Sequence, residues 1–169
     1  KSKKLNSYVD FPSQFSIFTL SKKKKENVLL EFGCGNGRDA SYMSQFYKKT
    51  FAFDLSRDVI KLNKLKYHNL KSLKFNVCDI KDYFNIRKYK SFKKIIYARF
   101  FLHTLTDQEI KCFLHLVSRL LNKKEKIFVE YRTHLDKKKK KFFKKHFKNL
   151  LNPKKIIRYC NKENLKNIY

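Results

Sequence analysis

The stretch Glu31-Phe32-Gly33-Cys34-Gly35-Asn36-Gly37 decides the fold, and it holds all three glycines of a 169-residue chain. It closes Val28-Leu29-Leu30-Glu31-Phe32, a short apolar run that reads as a buried strand. It opens Arg38 to Lys48, where Ala40, Met43 and Tyr47 recur at helical spacing. Glycines between a strand and a helix let the backbone turn sharply and approach a ligand closely. The amides of the helix N-terminus favour anionic groups there. In a chain this poor in glycine, three at one junction point to a binding turn rather than a plain reversal. The spacing is GxGxG, whereas nicotinamide dinucleotide sites carry GxGxxG.

Outward from this turn, strands and helices alternate. Phe51 to Asp54 reads as a second strand, Ser56 as an N-cap, and Arg57 to Tyr67 as a helix with Val59, Ile60, Leu62 and Leu65 inward. Leu73 to Val77 and Lys94 to Ala98 read as the third and fourth strands. Thr106 caps a helix running through Leu121, with Glu109 in the capping-box position. Lys126 to Tyr131 is a fifth strand, and Phe15, Ile17, Phe18 and Leu20 suggest a helix ahead of the first. Such alternation predicts an α/β fold, a parallel sheet covered by helices on both faces. Sites in such sheets lie at the strands' carboxyl ends. Asp54 stands there, 17 residues past Gly37; it can accept both hydroxyls of a ribose, or cap a helix beside Ser56. Asp79, after the third strand, can take the exocyclic amine of adenine, or simply form a turn.

The composition limits what the charge means. Lys plus Arg is 42 and Asp plus Glu 14, a formal net charge of +28. Only seven of the 42 are Arg, and Lys, Asn, Ile, Phe and Tyr make up about half the chain. That is the signature of AT-rich codons, so the charge is weaker evidence for a nucleic-acid partner than its size suggests. Cys34, Cys78, Cys112 and Cys160 form no CxxC or Cys/His cluster, which speaks against a metal site and suits a reducing cytoplasm. No apolar run approaches the length of a membrane span.

The combination EFGCGNG, FAFDLS and VCDI at the ends of successive strands resembles the class I S-adenosylmethionine-dependent methyltransferases. Pro12 to Phe15, GCGNGRDA, the run Ile96 to His103, and Phe128 to Thr133 with Asp136 look like one bacterial subgroup found with surface-polysaccharide genes. The resemblance covers about Phe11 to Asp136. It implies a Rossmann-like doubly wound sheet and S-adenosyl-L-methionine as cofactor. Carried over, Glu31, Gly33, Gly35, Gly37 and Arg38 would hold the methionine end, Asp54 the ribose and Asp79 the adenine. Arg99 would face the site of methyl transfer, with His103 and Arg132 beside it as catalytic candidates. Glu130 reads as an orienter of Arg99, and Ser13 and Gln14 either close over the cofactor or start the leading helix. Arg132 has an ion pair with Asp136 as its alternative, and His103 a packing role near Leu102.

The family sheet normally ends in an antiparallel pair after the fifth strand, and this chain stops at Tyr169, before such a pair. Residues 1–136 therefore read as the cofactor-binding core and 137–169 as a Lys-rich helical segment of the same domain, truncated before its last strands. Asn161 to Tyr169 would be the helix leading into them. The fifth strand would then have an open edge, which invites self-association. From Lys123 to Tyr169 there are 17 basic against four acidic residues. In Lys137 to Lys148, Phe142, Phe143 and Phe147 would pack down while the lysines stay in water, or the surface would face a polyanion. Arginine forks where lysine is the default suit phosphate or carboxylate. The expected acceptor is thus small or saccharide-linked, and phosphorylated or acidic. An RNA methyltransferase and a non-catalytic cofactor-binding domain are the alternatives.

Overall fold

The structure is a computed structural model that describes residues 11–135 and 149–166. The elements follow the predicted alternation: α1 (Gln14–Ser21), β1 (Val28–Phe32), α2 (Arg38–Met43), β2 (Lys49–Asp54), α3 (Arg57–Lys66), β3 (Leu73–Val77), α4 (Tyr83–Ile86), β4 (Lys94–Arg99), α5 (Asp107–Leu120), β5 (Lys126–Glu130) and α6 (Pro153–Lys162). The strands form one parallel sheet in the order β3-β2-β1-β4-β5. Leu30 of β1 lies between Phe51 of β2 and Ile96 of β4 in register, and Arg99 of β4 is paired with Glu130 of β5. After β3 the chain returns to the other side of β1 to begin β4. The carboxyl ends of β1 and β4 therefore flank the topological switch point, where α/β sheets open a crevice.

β1 is buried along its whole length because helices cover both faces. Val28, Leu30 and Phe32 join Phe53, Ile96, Ala98 and the α5 residues Ile110, Phe113 and Val117 in one cluster. Leu29 joins Met43, Tyr47, Ile95, Tyr97 and Phe128 on the other side. α5 begins with the predicted capping box: the Glu109 amide donates to Thr106 Oγ1 at 3.3 Å, and the Thr106 amide to Glu109 Oε2 at 2.9 Å. Its inward face buries Ile110, Phe113, Leu114, Leu116, Val117 and Leu120, at about 1.5–3 kcal/mol per large side chain.

Several boundaries and faces differ from the sequence reading. α2 stops at Met43, not Lys48. Gln45 and Phe46 donate to carbonyls three residues back, at Tyr42 and Met43, so the last turn tightens and leaves the helix. A six-residue helix carries little of the macrodipole expected for the glycine turn. On α3, Leu62 and Leu65 are 65% and 66% exposed; Ile60 and Asn63 are the buried pair, one helical turn apart. On α1, Ser16 and Thr19 face inward, while Ile17 and Phe18 are exposed. The expected inward face of α3 holds at Ile60 and not at Leu62 and Leu65, because the composition places apolar residues on both helix faces and spacing does not select one. The expected helix over 161–169 lies earlier, as α6, because Asn152 caps Pro153 and its side chain accepts the Lys154 amide at 3.0 Å. Among the described residues the sheet has no antiparallel strand. A parallel bridge from Thr133 to Leu151 follows β5. Asp136 and the segment Lys137 to Lys148, with Phe142, Phe143 and Phe147, lie outside the described residues.

Candidate active site

The glycine turn is held from three directions. Gly33, Gly35 and Gly37 all have φ between 50° and 73°, the left-handed region closed to most side chains. A Cβ at Gly33 would lie 2.5 Å from the Phe101 ring, and one at Gly37 would meet Phe75 at 2.8 Å and Tyr67 at 2.9 Å. Those two glycines serve packing. Gly35 differs: a Cβ there would meet nothing within 4 Å, so its backbone faces open space. The Gly35 amide donates to Asp54 Oδ2 at 3.0 Å, and its carbonyl accepts from Asn63 Nδ2 at 2.6 Å. The Ser56 amide donates to Asp54 Oδ1 at 3.0 Å. The Asp54 carboxylate is thus fixed at the tip of β2 by two backbone donors, with lone pairs remaining on both oxygens.

Beneath the turn sit two acids with opposite fates. Asp39 receives the Ser13 amide at 3.0 Å, Ser13 Oγ at 2.7 Å, Tyr97 Oη at 2.8 Å and Arg38 Nε at 3.1 Å. Burial works to raise its pKa, but the bonds from Ser13 and Tyr97 and the charge of Arg38 outweigh it and hold the carboxyl below its usual range. Glu31, 3% exposed, has no such donors, and its Oε2 is buried without a hydrogen-bond partner among the described residues. Burial pushes its carboxyl well above the usual range, Asp39 and Asp54 add to this, and Arg38 and Arg99 oppose it. An unpartnered buried acid beside an open glycine is unfavourable for the isolated fold and suited to a cationic ligand group.

Across the crevice, at the ends of β4 and β5, Arg99 donates from Nε to Glu130 Oε2 at 2.6 Å. The expected orienting pair is present. The Arg99 guanidinium lies 4.1 Å from the centroid of the Phe100 ring, and that of Arg132 lies 5.3 Å from the same centroid. His103 meets Phe100 edge-on at 5.8 Å and is 7% exposed. Arg99, Arg132 and His103 are therefore brought together around one ring. The alternative partner of Arg132, Asp136, lies outside the described residues. Asp79 is exposed past β3, its Oδ1 accepting the Lys81 amide at 2.9 Å, which is the turn-forming geometry. Ser13 caps α1 and at the same time binds Asp39. Two cavities of about 380 and 430 Å³ lie elsewhere, one between Ile80 and α5 and the other along α3; neither includes a predicted site residue.

Sequence reasoning missed Asn63, Tyr97 and Phe100. Asn63 carried a signal, being a polar residue one turn after Ile60 on α3. Tyr97 and Phe100 carried none, since both sit among aromatic neighbours in a chain with 17 Phe and 10 Tyr.

A five-stranded parallel sheet in this order, with a glycine turn after its first strand and an acid at the tip of its second, defines a cofactor-binding α/β domain. Residues 7–169 match the model of a methyltransferase-domain family, and the chain belongs to that family. Solved structures agree on the fold. A S-adenosylmethionine-dependent methyltransferase from Clostridium acetobutylicum superimposes with a TM-score of 0.74 at 14% identity, over 95% of this chain and 83% of that one. A TehB-like SAM-dependent methyltransferase from Corynebacterium glutamicum gives 0.63 at 13%, over 88% and 71%. A Haemonchus contortus phosphoethanolamine N-methyltransferase, solved with phosphoethanolamine and S-adenosylhomocysteine, gives 0.59 at 17%, over 71% of this chain and 26% of that one. No curated protein matches the sequence. The class is that of the methyltransferase domains, on the fold of the S-adenosylmethionine-dependent enzymes it superimposes on. No helix among the described residues is long and apolar enough to cross a membrane.

Proposed function

We propose that this domain methylates a small or saccharide-linked acceptor bearing a phosphate or carboxylate, with S-adenosylmethionine bound over the Gly33–Gly37 turn. The observation that carries the reading is the pair of guanidinium groups gathered on Phe100 at the switch-point crevice. Arginine is scarce in this chain, and its planar fork matches phosphate and carboxylate oxygens two at a time. The Haemonchus neighbour, solved with a phosphorylated amine, supports such an acceptor on this fold.

The residues present fit the cofactor. Glu31 Oε2, buried and unpartnered, offers an acceptor to an ammonium group, and Gly35 leaves room for close approach. Asp54 has lone pairs for two ribose hydroxyls, and Asp79 stands at the neighbouring strand tip for the adenine amine. The bound sulfonium supplies an already activated methyl group, transferred by in-line displacement. What the protein adds is alignment and exclusion of water. Arg99 and Arg132 hold the anionic group of the acceptor and so set the distance and direction of its nucleophile. An ionised oxygen needs no base; for a hydroxyl, His103 is the group in reach of the same crevice.

The test is transfer of labelled methyl groups by the full natural protein to phosphoglycans, acidic saccharides and RNA. The expected result is transfer to the first two, lost in Arg132→Lys with cofactor affinity intact. Asp54→Ala should weaken cofactor binding by about 1–3 kcal/mol, the scale of lost charge-assisted hydrogen bonds. Efficient methylation of RNA with none of any saccharide would overturn the acceptor, and unchanged cofactor affinity in a folded Asp54→Ala protein would remove Asp54 from the site.

A further inference from the structure

The residue between Arg99 and Phe101 has a backbone that its side chain does not favour. Phe100 has φ 52°, in the left-handed region, where a bulky aromatic residue is strained. Glycine would adopt this conformation freely, and the chain uses glycine for it at three positions of the turn after β1. At the end of β4 it keeps a phenylalanine. The conformation is held from both sides. The Phe100 amide donates to the Glu130 carbonyl at 2.7 Å. The next residue, Phe101, is packed edge-on against Phe113 of α5 at 5.2 Å and occupies the space over Gly33.

Packing thus accounts for Phe101 and leaves Phe100 unexplained, since its ring is half-exposed and outside the core clusters. Its contacts are polar. Arg99 and Arg132 both lie over the ring, His103 touches its edge, and Glu130 is engaged with Arg99 Nε. Two guanidinium groups over one ring repel each other. The negative face of an aromatic ring offsets that repulsion without neutralising either charge.

We infer that Phe100 is a positioning residue: its ring, fixed by the strained backbone, holds Arg99 and Arg132 as a preformed two-pronged receptor for one anionic group of the acceptor. This deepens the proposed reading of an anionic acceptor and rests on it. The ring touches the arginines and not the reacting atoms, so its effect falls on acceptor affinity and leaves cofactor affinity alone.

The seven arginines make the test site-resolved, because their side-chain Nε–H signals can be followed one by one by NMR in the cofactor-product-bound protein while inorganic phosphate is added. In the unaltered protein the Arg99 and Arg132 signals should move together on one saturable curve. Phe100→Leu should weaken that curve about tenfold and split it into two, the scale of two lost cation–π contacts. Phe100→Tyr should retain it. Phe100→Gly relieves the backbone and removes the ring, so it should match Phe100→Leu in phosphate binding without its drop in melting temperature. S-adenosylhomocysteine affinity should be the same in all. If Phe100→Leu and Phe100→Gly keep the joint curve within twofold while Arg132→Gln abolishes it, Phe100 only shapes the turn and the inference fails alone. If neither arginine responds to phosphate in the unaltered protein, the anionic-acceptor reading fails with it.

Discussion

At the scale of single residues, the candidate site rests on Glu31 and Asp39, neighbouring carboxyl groups whose pKa values are driven apart by their surroundings. Asp39 is supplied with donors by Ser13, Tyr97 and Arg38, whereas Glu31 is buried without them. Because its pKa is raised in the fold, Glu31 binds its proton more tightly folded than unfolded. Its burial therefore costs least at acidic pH and increasingly more as pH rises above the ordinary carboxylate range. Glu31→Gln should accordingly stabilise the ligand-free protein by a margin that grows from about pH 4 to pH 8, while weakening cofactor binding. Denaturant titrations across that range check this; a margin that does not change with pH would show that Glu31 is not held protonated.

At the scale of elements, the ends of β4 have different tasks. Its carboxyl end carries Arg99 and the Phe100 turn. Its amino end carries Lys94, fully buried, whose Nζ donates to Glu125 Oε2 at 2.7 Å and to the Lys90 and Phe92 carbonyls at 3.1 Å each. The Lys94 and Asn122 amides also donate to Glu125, at 3.2 and 2.8 Å. This pair ties β4 to the turn before β5 on the side of the sheet away from the crevice. Breaking it leaves a buried ammonium alone, so Glu125→Ala should cost about 3–5 kcal/mol, whereas the double change Lys94→Met with Glu125→Leu should cost less, because it leaves backbone groups but no charge unpaired. Urea unfolding of both variants decides the matter, and a loss below about 1 kcal/mol in Glu125→Ala would mean water reaches the site.

For the whole molecule, the sheet is bounded by β3 on one side and β5 on the other. Past β5 the parallel bridge between Thr133 and Leu151 continues the pairing, with the Leu151 amide donating to Arg132 at 3.3 Å and His134 to Leu151 at 3.2 Å. Among the described residues β5 itself pairs only with β4. Open strand edges accept further strands. This chain is therefore expected to self-associate with rising concentration through β5. Sedimentation over a wide concentration range measures it; a chain that stays monomeric throughout would show the edge to be covered.

The five strands, their parallel sense and the Ser56 and Thr106 caps were legible in the sequence, because each depends on local pattern: short apolar runs alternating with amphipathic ones, and capping hydroxyls. Periodicity did not tell which face of α1 and α3 is buried, since Ile17, Phe18, Leu62 and Leu65 make the outer faces as apolar as the inner ones. Only the tertiary structure decided that Asn63 and Asp54 clamp Gly35, that Ser13 and Tyr97 supply Asp39 with donors while Glu31 goes without, and that Phe100 gathers Arg99 and Arg132. Those pairings join residues 19 to 58 positions apart or hang on one left-handed backbone angle. Sequence records which groups are present, while the charge state and reach of a group depend on what the fold places beside it.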